Sequence, residues 1–122
     1  MKKAYRIKKE AEFQRVYHNA QTYANRQLVL YVYPKPEQAH FRIGLSVGKR
    51  IGNAVTRNQV KRYLRQALHE LEGEIPCEYD FLLIARPDIK GKDCQTVKNS
   101  IRHVMKLARL LPSNQTVGGR NE

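Results

Sequence analysis

Six cations stand in the stretch from Gly48 to Arg65: Lys49, Arg50, Arg57, Lys61, Arg62 and Arg65, with no acid among them. The acid-free zone is wider, from Gln38 to His69, and Arg42 adds a seventh cation to it. Like charges this dense repel one another, so a fold keeps such a cluster when a polyanion neutralises it. Arg57, Lys61 and Arg65 recur every four residues, which stacks them in one row on a helix. Such a row is a phosphate-binding stripe, and nucleic acid is the polyanion it points to. Two amides share the stretch. Asn58 falls between Arg57 and Lys61, where an amide that both donates and accepts suits contact with nucleic acid or orientation of an arginine. Asn53 has two readings, a nucleic-acid contact or a helix cap.

Phe13, Tyr17, Tyr31 and Tyr33 are a second candidate site, because exposed aromatic rings stack on the bases of single-stranded nucleic acid. For Phe13, core packing is an equal reading. Tyr17 and Tyr31 carry hydroxyls and favour half-exposed positions. Other chemistries find little support. Gly48 to Asn53 contains glycine and cations but lacks the Gly-Lys-Ser/Thr ending of a phosphate loop, so Gly48 and Gly52 read as turn residues. His18, His40, His69 and His103 are scattered without ligand spacing, and no metal site is expected. Glu70, Glu72, Glu74 and Glu78 sit at a helix end rather than in a two-metal carboxylate pattern. No Ser/His/Asp or Cys/His arrangement stands out, so no catalytic residue is assigned. The chain reads as one that binds an anion without cutting it.

Composition agrees. The net charge is +12 and the pI ≈ 10.0 over 122 residues, in the range of a nucleic-acid footprint. The longest aliphatic stretch, Leu82 to Ala85, is too short to span a bilayer. Met1-Lys2-Lys3 resembles a signal-peptide start, but Tyr5-Arg6-Ile7-Lys8-Lys9 follows where an apolar segment belongs. A cytoplasmic protein is expected, with Cys77 and Cys94 as free thiols.

These side chains need positioning elements. Residues 1–9 read as basic and loose, and 10–20 as a short helix with Phe13, Val16, Tyr17 and Ala20 at helical spacing. Gln27 to Tyr33 alternates as a strand ended by Pro34, with Val29, Tyr31 and Tyr33 on one face. Phe41 to Gly48 alternates too, and the pair is expected to form an antiparallel hairpin. A helix capped by Asn53 or Thr56 follows, with Val60, Leu64, Ala67, Leu68 and Leu71 as its apolar stripe. Arg57, Asn58, Lys61, Arg62 and Arg65 fill the next arc. Gly73 and Pro76 end it. Asp80 to Arg86 is apolar on both faces and reads as a covered central strand. Thr96 to Leu111 reads as the last helix, broken by Pro112. Residues 1–111 are expected to form one domain, and 112–122 a disordered tail.

The segment Gly44-Leu45-Ser46-Val47, continuing through Lys49-Arg50-Ile51-Gly52-Asn53-Ala54-Val55 to Arg57-Asn58, Lys61-Arg62 and Arg65, resembles the signature of the bacterial ribonuclease P protein subunit. The likeness extends through Phe13-Gln14-x-Val16-Tyr17 and Ala24-Asn25-Arg26-Gln27-x-Val29-Leu30-Tyr31, and covers roughly residues 5 to 111. It implies an α+β fold, an α/β sandwich of order αβββαβα, with one more strand than the alternation reveals and a left-handed parallel βαβ crossover. It implies that Lys49, Arg50, Asn53, Arg57, Asn58, Lys61, Arg62 and Arg65 face RNA, and that Phe13, Tyr17 and Tyr31 line a groove for the 5′ leader of precursor tRNA. Catalysis would belong to a large RNA that requires Mg2+, with no cofactor on the chain itself. The implied partners are ribonuclease P RNA, one protein per RNA, and precursor tRNA, with no membrane. The competing readings are a ribosomal-type RNA-binding module and a free-standing nuclease.

Overall fold

The computed structural model describes residues 3–111; the expected disordered tail, 112–122, lies outside them. The elements run α1 (Glu10–Asn19), β1 (Gln21–Ala24), β2 (Leu28–Pro34), β3 (Arg42–Ser46), α2 (Ala54–Leu71), β4 (Tyr79–Ala85) and α3 (Cys94–Leu107). This is an α+β fold in the expected order αβββαβα. The extra strand is β1, which is mostly exposed and polar. It has no apolar face for a sequence pattern to register.

The sheet order is β1-β2-β4-β3. β2 is antiparallel to both β1 and β4, and β3 runs parallel to β4. The expected hairpin between β2 and β3 is therefore incorrect. β4 lies between them because Phe81, Leu82 and Leu83 are fully buried on both faces, a burden only a central strand can satisfy. The β2–β3 connection also lacks the tight Asn-Gly type of turn that joins hairpin strands. α2 supplies the crossover from β3 to the parallel β4.

Pairing assigns the faces. Val29, Tyr31, Leu82, Ile84, Gly44 and Ser46 share one face, since Tyr31 pairs with Leu82 and Leu82 with Gly44, and Val29 with Ile84 and Ile84 with Ser46. That face receives α1, which touches β2 and β4. The other face carries Leu28, Leu30, Val32, Ile43, Phe81, Leu83 and Ala85, and with α2 and α3 encloses the main core. α2 contributes the whole predicted stripe, Val60, Leu64, Ala67, Leu68 and Leu71. α3 contributes Val97, Ile101, Val104 and Met105. It starts at Cys94 because Asp93 caps it, accepting from Thr96 N at 2.8 Å. It stops at Leu107, short of the expected Leu111, where Arg109 turns to φ 61.

Among the described residues, the N-terminal segment from Lys3 is not loose as expected. Residues Lys3–Tyr5 form a short 3₁₀ turn. Arg6 then bridges Ile43 in parallel, and Ile7 N donates to Ile43 O at 3.1 Å. An edge strand leaves backbone groups unpaired, and this segment covers part of that edge.

Candidate nucleic-acid interface

The basic stretch is held by a turn and a cap. Asn53 is the N-cap of α2: its Oδ1 accepts from Thr56 N at 2.9 Å. The alternative cap at Thr56 is thereby excluded, because Thr56 already lies inside the helix. Gly52 precedes it at φ 154, and a Cβ there would stand 3.1 Å from Thr56 Cβ, so the turn needs glycine. Lys49 and Arg50 project from a 3₁₀ turn anchored by buried Ile51. Arg57 Nε donates to Gly52 O at 3.2 Å, which ties the first cation of the row to the turn. Asn58 and Arg62 are exposed; Arg57, Lys61 and Arg65 are half-buried along their stems. Among the described residues, none of Lys49, Arg50, Arg57, Lys61, Arg62 and Arg65 forms a salt bridge with an acid.

Arg42 does not belong with them. Its guanidinium meets Asp80 at 2.7 and 3.1 Å and Glu12 at 3.0 Å. The Asp80 hydrogen bonds, helped by Glu12, raise its pKa further above the usual arginine value against the opposing effect of burial. Asp80 is 2% exposed, and a buried carboxylate requires such a partner. The ion triad joins α1, β3 and β4. It was hidden in the sequence because its three members are far apart, although an acid at the head of an apolar strand signals a need for a cation.

The aromatic residues meet on the α1 face. The rings of Tyr17 and Tyr31 stack with centroids 5.2 Å apart and planes at 24°. Tyr17 is 45% exposed, with one ring face against Tyr31 and the His18 ring 5.3 Å away at 85°. Burial, and then the neighbouring Tyr17, hold the Tyr31 phenol above its usual pKa, which keeps it neutral. Phe13 is half-buried and packs over Gly44: a Cβ on Gly44 would lie 3.0 Å from Phe13 Cε2 and 2.8 Å from Leu82 Cδ2. Phe13 thus seats α1 on the sheet more than it offers a ring to solvent. Tyr33 is on the same face but stacks with neither.

The same face continues to a hollow of about 350 Å³ lined by Ser46, Ile84, Arg50 and Arg86. Arg50 of the basic set reaches this hollow, whereas Phe13, Tyr17 and Tyr31 do not line it. Arg86, absent from the sequence-derived set, donates to Asn25 O at 2.9 Å. The turn around Asn25 is fixed in its own right. Asn25 Oδ1 accepts from Gln27 N and Leu28 N, and its Nδ2 donates to Ser100 O at 3.0 Å. Gln27 accepts from Ser100 Oγ at 3.0 Å and donates to Asp88 at 2.6 Å. The likeness noted at Asn25-Arg26-Gln27 therefore reports a structural joint between the β1–β2 turn and α3. Among the described residues no group of three or more His, Cys, Asp and Glu side chains is placed to hold a metal ion, and no helix is long and apolar enough to cross a membrane.

Comparison with known proteins agrees with this architecture. The family model described as Ribonuclease P matches residues 1–109. The ribonuclease P protein component of Enterococcus faecalis is 54% identical over 111 residues, covering 91% of this chain and 94% of that one. That of Lactiplantibacillus plantarum is 53% identical over 114 residues, 93% of this chain and all of the relative. The solved RNase P protein of Staphylococcus aureus superposes with a TM-score of 0.81 at 43% identity, over 89% of this chain and 99% of that chain. The RNase P protein of Thermotoga maritima, at 23% identity, shares the fold with a TM-score of 0.75 over 84% of this chain and 96% of that one. With the family matched over nearly its whole described length, the chain belongs to the ribonuclease P protein family.

Proposed function

We propose that this chain binds ribonuclease P RNA through Lys49, Arg50, Asn53, Arg57, Asn58, Lys61, Arg62 and Arg65. In the same reading the single-stranded 5′ leader of precursor tRNA lies over Tyr17 and Tyr31, with Phe13 supporting α1 beneath. The observation that carries it is an un-neutralised basic turn and helix in the same fold as an exposed Tyr17 on α1, stacked on Tyr31 of the sheet face beneath. Cations hold phosphates without regard to sequence, and the tyrosine stack accepts unpaired bases. A mature tRNA has no leader, so the aromatic contacts favour substrate over product. Hydrolysis belongs to the RNA and the magnesium ions it binds. One protein serves one RNA, in the cytoplasm.

Reconstitution tests this. The purified chain alone is expected not to cleave precursor tRNA, and to raise cleavage by ribonuclease P RNA at low magnesium. Cleavage by the protein alone, or no effect on the RNA, would refute the assignment.

A further inference from the structure

Arg86 leaves the end of β4 as an exposed cation, and Asp88 stands two residues away. Opposite charges this close in sequence attract. Yet among the described residues neither forms a salt bridge. The β1–β2 turn keeps them apart. Gln27 Nε2 donates to Asp88 Oδ2 at 2.6 Å, and Arg86 Nη1 donates instead to the backbone oxygen of Asn25 at 2.9 Å. Each charged group is thus satisfied by a neutral partner. The Arg86 main chain is tied to the same turn, its N donating to Gln27 O at 2.8 Å.

The turn is locked from behind. Asn25 Oδ1 accepts from Gln27 N at 3.0 Å and from Leu28 N at 2.9 Å, and its Nδ2 donates to Ser100 O at 3.0 Å. Ser100, on α3 and 6% exposed, donates from Oγ to Gln27 Oε1 at 3.0 Å. Both ends of the Gln27 amide are therefore used, its oxygen by α3 and its nitrogen by Asp88. A network satisfied in this way holds one geometry. A joint that served only the fold could equally close on an Arg86–Asp88 ion pair, which would cancel the cation. This one fixes the guanidinium and leaves its charge intact, at the hollow it lines with Ser46, Ile84 and Arg50.

We propose that Asn25 and Gln27 are positioning residues for Arg86. Asn25 holds the guanidinium at the hollow through its backbone oxygen, and Gln27 withholds Asp88 from it. The cation meets RNA un-neutralised and already ordered, and ordering before contact lowers the cost of association. Neither Asn25 nor Gln27 needs to touch RNA. The inference rests on the reading that this face of the protein meets RNA.

Double-mutant cycles on RNA affinity test this. Gln27→Met keeps the side chain's bulk and removes the amide. Asp88 is then free to pair with Arg86, and affinity should fall about twofold to tenfold. Asp88→Asn on that background should restore most of the loss, and should raise affinity by a larger factor there than in the parent. Equal factors in the two backgrounds would overturn the proposal, because a turn that only supports the fold does not couple to the charge of Asp88. In an Arg86→Gln background, Asn25→Ala and Gln27→Met should change affinity no further; a loss that persists there would overturn it equally. Should the turn variants fail to fold, NMR of the ¹⁵N-labelled parent decides. The Arg86 Nη–H groups should rotate slowly, held by Asn25 O, while those of Arg26, exposed on the same turn, average. Averaged signals at Arg86 would refute the positioning. Two RNA arms locate the contact. A loss confined to precursor tRNA binding by the holoenzyme assigns Arg86 to the substrate, and a loss of affinity for ribonuclease P RNA assigns it to that RNA. Failure of the parent to bind either RNA would sink the proposed function, whereas Arg86→Gln binding both RNAs as the parent does would overturn this inference alone.

Discussion

Removing Tyr17 tests the leader groove, and the geometry makes the expected result specific. Its ring stacks on one face of Tyr31 and is 45% exposed, with the His18 ring edge-on 5.3 Å away. A leader base stacked on its exposed ring is worth roughly 1–3 kcal/mol, or about fivefold to 150-fold in affinity. Tyr17→Ala also uncovers the Tyr31 face beneath it, so a base can move inward and stack there. The single variant should therefore lose only the lower part of that range. Tyr31→Ala removes the support under Tyr17 and leaves no second ring, so it should lose as much or more. The double variant should lose more than the sum of the singles, the signature of two residues that substitute for one another. The folding cost of Tyr17→Ala is limited to one aromatic pair, about 0.5–1.5 kcal/mol. The assay is holoenzyme affinity for precursor tRNA, with mature tRNA and a precursor trimmed to a one-nucleotide leader as controls. Losses confined to the full leader support the groove. Equal losses for precursor and mature tRNA would show that the rings support the fold or the RNA contact, and the groove would have to be withdrawn.

The other expectations concern charge and the joints that place it. Replacing Arg57, Lys61 and Arg65 together with Ala should flatten the salt dependence of RNA binding, by about 0.7–0.9 in slope for each lost phosphate contact; an unchanged slope would exclude the row from the interface. Val55 is 78% exposed in the first turn of α2, so Val55→Glu should stabilise the free protein by about 0.3–1 kcal/mol through the helix dipole and weaken RNA binding, both read by thermal melts and RNA titration. Asp80→Ala leaves Arg42 with Glu12 alone and should cost about 2–4 kcal/mol by denaturant unfolding; a cost near zero would mean the triad is not formed. Asp93 has its pKa held below the usual carboxylate value by hydrogen bonds from Thr96. Its contribution is thus complete above the ordinary Asp value and is lost as pH falls through the lower folded value. Asp93→Asn should flatten the acid limb of the stability curve, and an identical limb would refute the cap's ionic part.

The elements with strong periodicity were legible in the sequence. The stripe from Val60 to Leu71 and the doubly apolar β4 needed only the spacing of their side chains. Neighbourhood in the sheet was not legible. Alternation in β2 and β3 shows that each is a strand, but says nothing of which edge meets which, and β4 arrives from beyond α2 to separate them. β1 escaped notice because its residues face solvent. The cations were countable, yet their state was not. Arg42 and Arg57 are equally basic in a sequence, and only the fold reveals that Arg42 is neutralised by Glu12 and Asp80 while Arg57 has no acid. Arg6 seemed part of a loose end, although Ile7 beside it was an apolar residue in need of somewhere to dock.

The layout of acids explains why the basic stretch stays open. Three of the four glutamates following the acid-free zone are engaged around the end of α2: Glu70 with Lys98, Glu74 with Arg102 and Glu72 with His69. Hydrogen bonds from Gln66 and Lys98 hold the Glu70 carboxyl below its usual pKa, so it stays ionised. Two of these acids thus pair with α3 and the third with the last turn of α2, far along the helix from Arg57. At the other end, α2 has no acid in its first turn, unlike α1 with Glu10 and Glu12. A helix N-terminus already carries partial positive charge, and cations placed there are unfavourable. Lys49, Arg50 and Arg57 add to that field where an isolated helix would want a carboxylate. The free protein therefore carries an uncompensated positive end whose natural complement is an anion from outside the chain. The neutral Asn53, rather than an aspartate, caps the helix without cancelling that field.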